Sequence, residues 1–152
     1  MNKQIDNIRK TRLIILELIS DLSPEQLNQI PEGFNNNIIW NLGHLIAAQE
    51  GVFYLRGGLP LNLDQKFFDS FKNGSRPDHE FSTEEIESIK TLLITSLDRV
   101  DDDLKIDAFN NYQSWKTRFN VEISSIEDAL NFIPFHEGLH IGCMMAYKKM
   151  II

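Results

Sequence analysis

Residues 136–140 read HEGLH, two histidines four positions apart with a glutamate between them. On a helix this spacing stacks both imidazoles on one face, one turn apart, where they can share a metal ion. In zinc peptidases the glutamate of an H-E-x-x-H string activates water. That chemistry usually takes a third ligand from downstream. Only twelve residues follow His140, and none is His, Asp or Glu. The chain also offers no convincing edge strand on which an extended peptide could be laid. Peptidase is therefore the minor reading, and the remaining ligand must come from upstream.

His44 is the candidate. It lies in IIWNLGHLIAAQE, behind Trp40 and beside Ala47, Ala48 and Gly51. Small side chains there leave room for an ion and for a molecule bound near it. Three imidazoles from two helices leave coordination positions open, which is the arrangement of a catalytic site. Plainer explanations stand beside this one. A single histidine on an apolar face is usually a hydrogen-bonded core residue, but burying two in register without a common partner costs desolvation twice. His79 reads as an exposed loop residue, and Cys143 and Met144 as core filler. Glu137 is a step round the helix from the histidines and reads as solvated. Arg12 reads as an edge-of-core cation with its head in water.

The elements that must position these residues are helical. Ile5, Ile8, Ile15, Ile19 and Leu22 recur at helical steps and predict a first helix, followed by a short turn at Ser23-Pro24-Glu25. A second helix is predicted from the Asn35–Asn37 cluster to Gly57-Gly58. Ile38, Leu42, Leu45, Val52 and Phe53 cover one of its faces, and Trp40, Ala47, Ala48, Gly51 and Leu55 the one that carries His44. Two apolar faces need two neighbours, and a second subunit is one candidate. Residues 57–82 break the pattern and read as a long crossover or a lid. The capping box at Ser82–Glu85 opens a third helix with the stripe Ile86, Ile89, Leu93, Leu97 and Val100, ending in a solvated run, Asp101–Asp103. Residues 105–124 fit a short hairpin or an irregular loop equally well. A last helix begins at Ser125, with Ala129, Ile133, His136, His140, Cys143, Met144 and Tyr147 along the stripe that faces the bundle. The expected fold is all-α, an antiparallel four-helix bundle with a long crossover between helices 2 and 3, built as one domain over 1–152.

The totals exclude several classes of function. A formal charge of −7 without a basic run argues against nucleic-acid binding. No window approaches the length of a membrane span, and the polar N-terminus lacks a signal-peptide core. One cysteine, Cys143, cannot form an internal disulfide and fits a reducing compartment, so the expected setting is the cytoplasm.

NNIIWNLGHLIAAQE, then FKNGSRP, then SSIEDALNFIPFHEGLHIGCMMAYKKM together resemble the DinB-like superfamily. The resemblance covers most of the chain, and three histidines in that order are its specific part. It implies a four-helix bundle, commonly a homodimer, with a divalent metal, zinc or nickel, on His44, His136 and His140. Members with assigned activity include S-transferases that act with a low-molecular-weight thiol, and many members have no known reaction. The resemblance thus implies a metal-dependent enzyme of the thiol S-transferase type acting on a small-molecule substrate. A metal-dependent hydrolase, or a non-catalytic small-molecule-binding stress-response bundle, are the alternatives. Cys143 departs from the family pattern, where a glutamine often stands.

Overall fold

The computed structural model describes residues 2–151. Four long helices form the bundle: α1 (Lys3–Leu18), α3 (Ile38–Glu50), α5 (Thr83–Lys105) and α6 (Ile126–Met150). Two short helices, α2 (Pro24–Asn28) and α4 (Gln65–Phe71), lie in the connections. A two-residue hairpin, β1 (Trp115–Lys116) with β2 (Glu122–Ile123), precedes α6. Side-chain caps start each long helix. Asn2, Asn37, Ser82 and Ser125 accept from the first free backbone N–H groups, which would otherwise lack partners.

Both α1 and α3 pack on α5 and α6. Hydrogen bonds fix the directions. Asn2 meets Asp101 and Arg12 meets Leu93, so α1 and α5 run antiparallel. Asn36 meets Tyr147 and Asn41 meets His140, so α3 and α6 are antiparallel too. The other neighbours run parallel: Gln4 pairs with Asn131 and Lys148 with Asp21 between the α1 and α6 sides, Gln49 with Ser96 and Tyr54 with Asp103 between α3 and α5. The 57–82 crossover makes this possible, because it returns the chain to the end from which α3 started. The crossover is itself partly helical. Phe67, Phe68 and Phe71 give α4 an apolar face that packs on α3.

The predicted stripes on α1 and α5 are buried, apart from Leu22, which is half-buried. The second helix does not run unbroken to its glycines: α3 ends at Glu50 and a π-helical turn, Gly51–Leu55, follows. Three sequence expectations are corrected. The α3 face of Ile38, Leu42, Leu45, Val52 and Phe53, one of the two that a second subunit could have covered, is filled from within the chain: all of it is buried except Val52, which is half-buried. Of the acidic run only Asp102 is solvated. Asp101 accepts from the Asn2 backbone N–H at 2.7 Å, and Asp103 accepts from the Tyr54 hydroxyl at 2.7 Å.

The third correction concerns Arg12 and Glu137, which are 0% and 1% exposed. Arg12 Nε and Nη2 donate to Glu137 Oε1 at 2.9 and 2.7 Å, and Nη1 donates to the Leu93 carbonyl at 2.7 Å. Arg12 occupies a core step of the Ile5-Ile8-Ile15-Ile19 stripe, and Glu137 one between Ile133 and Met144. Each charge can sit there only because the other neutralises it. With Ser96 and Gln49 the pair forms a polar layer where two apolar clusters of the core meet, Ile8, Leu97 and Ile133 in one and Ile15, Leu93 and Met144 in the other.

Candidate metal centre

His44, His136 and His140 converge from α3 and α6, and one ring nitrogen from each lies within 4.8 Å of the others. The ring centroids are 4.6 to 5.3 Å apart. That spacing lets three imidazoles face one ion. His44 is buried and the other two are half-buried, so the α6 pair sits at the margin of the bundle toward α3. The core stripe of α6 passes beside them through Ile133, Glu137, Met144 and Tyr147.

Neighbouring groups set which nitrogen is available. His44 Nδ1–H donates to the Phe71 carbonyl at 2.8 Å. His140 Nδ1–H donates to Asn41 Oδ1 at 2.7 Å. Asn41 is itself fixed, since its Nδ2 donates to Asn36 Oδ1 and to the Asn37 carbonyl. In both histidines the Nε2 lone pair is therefore left free, as it is in a metal-bound imidazole whose other nitrogen donates to an oxygen. His136 differs: its Nδ1 is buried with no hydrogen-bond partner. An orphaned imidazole nitrogen beside two oriented ones is the pattern a bound ion would complete, so the residues fit a divalent metal with N donors.

Burial holds all three histidines neutral. It lowers His44, with the Phe71 carbonyl opposing and Arg118 adding to the effect. Burial first, then His44 and Arg118, push His136 down to about 4. Burial first, then His44, His136 and Arg118, push His140 down to about 3. Neutral imidazole is the form that coordinates metal.

Local packing explains these positions. A Cβ on Gly43 would collide with the Phe71 ring, so only glycine lets α4 approach α3 closely enough for the Phe71 carbonyl to reach His44. Trp40 stacks on His44 with centroids 4.8 Å apart and planes 10° from parallel. Its indole N–H donates to Ser75 Oγ at 3.1 Å, which ties the crossover to the site. The small residues Ala47, Ala48 and Gly51 line an open cleft above the histidines, as their size suggested.

A model of the DinB superfamily matches residues 7–144. The chain belongs to the DinB superfamily. No curated protein matches it, so membership gives a DinB bundle without a named reaction. Cys143 and Met144 pack in or against the core and do not join the three-histidine group, and His79 is exposed, held by Asp78 and Glu85. Among the described residues no helix is long and apolar enough to cross a membrane.

Asn41 and the Phe71 carbonyl, which orient His140 and His44, were not among the residues singled out from sequence. Asn41 sits three residues before His44 and had a helical-face signal. The Phe71 carbonyl had none, because a backbone acceptor leaves no mark on residue type.

Proposed function

We propose that His44, His136 and His140 hold one divalent ion, zinc or nickel, and that the protein is a metal-dependent enzyme acting with a low-molecular-weight thiol as an S-transferase. The observation that carries this reading is the convergence of three neutral imidazoles, two of them oriented by hydrogen bonds, on the floor of an open cleft. A divalent ion bound there would lower the pKa of a coordinated thiol and favour the thiolate. The chain's own part is to present three neutral donors, so that no protein charge offsets the ion. Trp40 and Phe132 wall the cleft with apolar surface that restricts water around a small-molecule substrate.

The transferase reading is preferred over a hydrolase because of Glu137. A hydrolase built on HEGLH needs that carboxylate beside the histidines as a proton acceptor. Here Glu137 turns toward α1, where Arg12 engages it, and burial pushes its carboxyl up against the pull of Arg12. Chelator-sensitive thiol transfer to an electrophile, absent from His44→Ala protein, tests the proposal. Chelator-sensitive peptide cleavage would overturn it.

A cytoplasmic homodimer belongs to the same proposal, on the family expectation and the lone thiol of Cys143. Because the α3 face is internal, the contact must use another surface. Sedimentation at tens of micromolar decides the state.

A further inference from the structure

The cleft above the histidines carries the opposite charge to the chain. It encloses about 1140 Å³ and is lined by Arg56, Lys72, Arg76 and Arg118, and by no Asp or Glu among the described residues. With 22 acidic and 15 basic residues in the chain, an even scatter would favour acids in that lining. Lys72 is neutralised by Asp69 at 2.7 Å. The arginine–carboxylate ion pairs of the described residues use Arg9, Arg12 and Arg99. Among the described residues, Arg56, Arg76 and Arg118 are thus left without an anionic partner.

Two of these guanidinium groups are held by rings. Arg118, in the turn of the β1–β2 hairpin, lies 4.9 Å from the Phe119 centroid, and Arg56 lies 4.9 Å from that of Trp115. Both rings line the cleft. A guanidinium stacked on an aromatic face keeps its N–H fork free for an oxyanion. Arg118 and the three histidines line the same cleft, which places its guanidinium on the side from which a bound molecule would approach the centre.

Resting on the metal reading for what reacts there, we propose that the cleft selects a small organic anion, a carboxylate or a phosphate ester with an apolar body. Arg118, with Arg56, takes the charged head, and the aromatic walls take the body. Three neutral ligands would leave a bound ion's positive charge uncompensated, which also favours an anionic substrate.

Benzoate, phenyl phosphate and benzamide share one apolar body and differ in the head. Calorimetric titration of each into metal-loaded and metal-stripped full-length protein tests the proposal. At least one anion should bind about tenfold more tightly than benzamide in both forms, as expected for a charge-assisted hydrogen bond. Whichever anion is preferred names the head group. The chain's only tryptophans, Trp40 and Trp115, both line the cleft, so binding there should change the intrinsic fluorescence. Arg118→Gln should remove most of the preference, Arg118→Lys should keep part of it, and metal content should stay unchanged. Equal binding of benzamide, no binding of either anion, or a preference that survives both Arg118→Gln and Arg56→Gln would overturn it. A preference confined to the metal-loaded form would do so too, by placing the anion on the ion itself. If the metal reading alone were wrong, metal content would be nil while the anion preference persisted.

Discussion

Glu137 and Arg12 show how one residue pair separates two chemistries. In sequence the glutamate looks like a catalytic base, yet it completes a buried ion pair 2.7 Å long. Removing one partner strands the other charge in the core, which costs about 3–5 kcal/mol. Glu137→Ala should therefore lose stability on that scale in chemical denaturation. A loss of activity with stability intact would instead make Glu137 catalytic. The histidines give a pH dependence with a definite sign. In the unfolded chain they titrate near 6.5, whereas His136 and His140 in the fold titrate near 4 and 3. Above pH 6.5 both states are neutral, and the stability is fully present. Below it the unfolded chain takes protons that the folded site refuses, so stability of the metal-free protein should fall as pH drops from 6.5 toward 4. His136→Ala/His140→Ala protein should show a flatter slope between pH 6.5 and 5. An unchanged slope would assign the effect elsewhere; His79, raised by Asp78 and Glu85, contributes with the opposite sign.

At the scale of elements, α3 carries the heaviest constraint, since its residues serve the core, the cleft and α4 at once. Leu45 is 1% exposed inside the chain. Leu45→Glu should consequently unfold the protein and not release a folded monomer, because burying an unpaired carboxylate costs several kcal/mol of a total near 5–15. A soluble, folded Leu45→Glu monomer by sedimentation and circular dichroism would restore the α3 face as a subunit contact. Gly43→Ala should push α4 away and loosen the Phe71–His44 hydrogen bond, lowering metal affinity roughly tenfold, as loss of an orienting partner does. Metal competition titration measures it, and unchanged affinity would show that His44 needs no such support. The four long helices were legible because their apolar periods and caps are local. The convergence of the three histidines was legible because the i, i+4 pair calls for an upstream partner and His44 lies on a helix face lined by small residues. What escaped the sequence depends on tertiary partners. The sign of Arg12's environment rests on a residue 125 positions away. Helix α4 was hidden in a stretch whose Gly and Pro content outweighed its three phenylalanines.

The whole molecule is a bundle whose polar layer and metal candidate adjoin at mid-height, with one face opened into a basic cleft. The chain carries a net charge of −7, whereas the charged residues that line the cleft are Arg56, Lys72, Arg76 and Arg118. All of this hangs on one claim, that the three histidines act together as a metal site. Elemental analysis of protein purified without a histidine tag tests it most directly, run on wild type and on His44→Ala, His136→Ala and His140→Ala. Near one zinc or nickel is expected per wild-type chain, with loss of the metal in each folded variant, because the remaining two imidazoles hold a divalent ion weakly. Metal-free wild-type protein that takes up neither ion on incubation would contradict it, as would full retention of metal by His44→Ala.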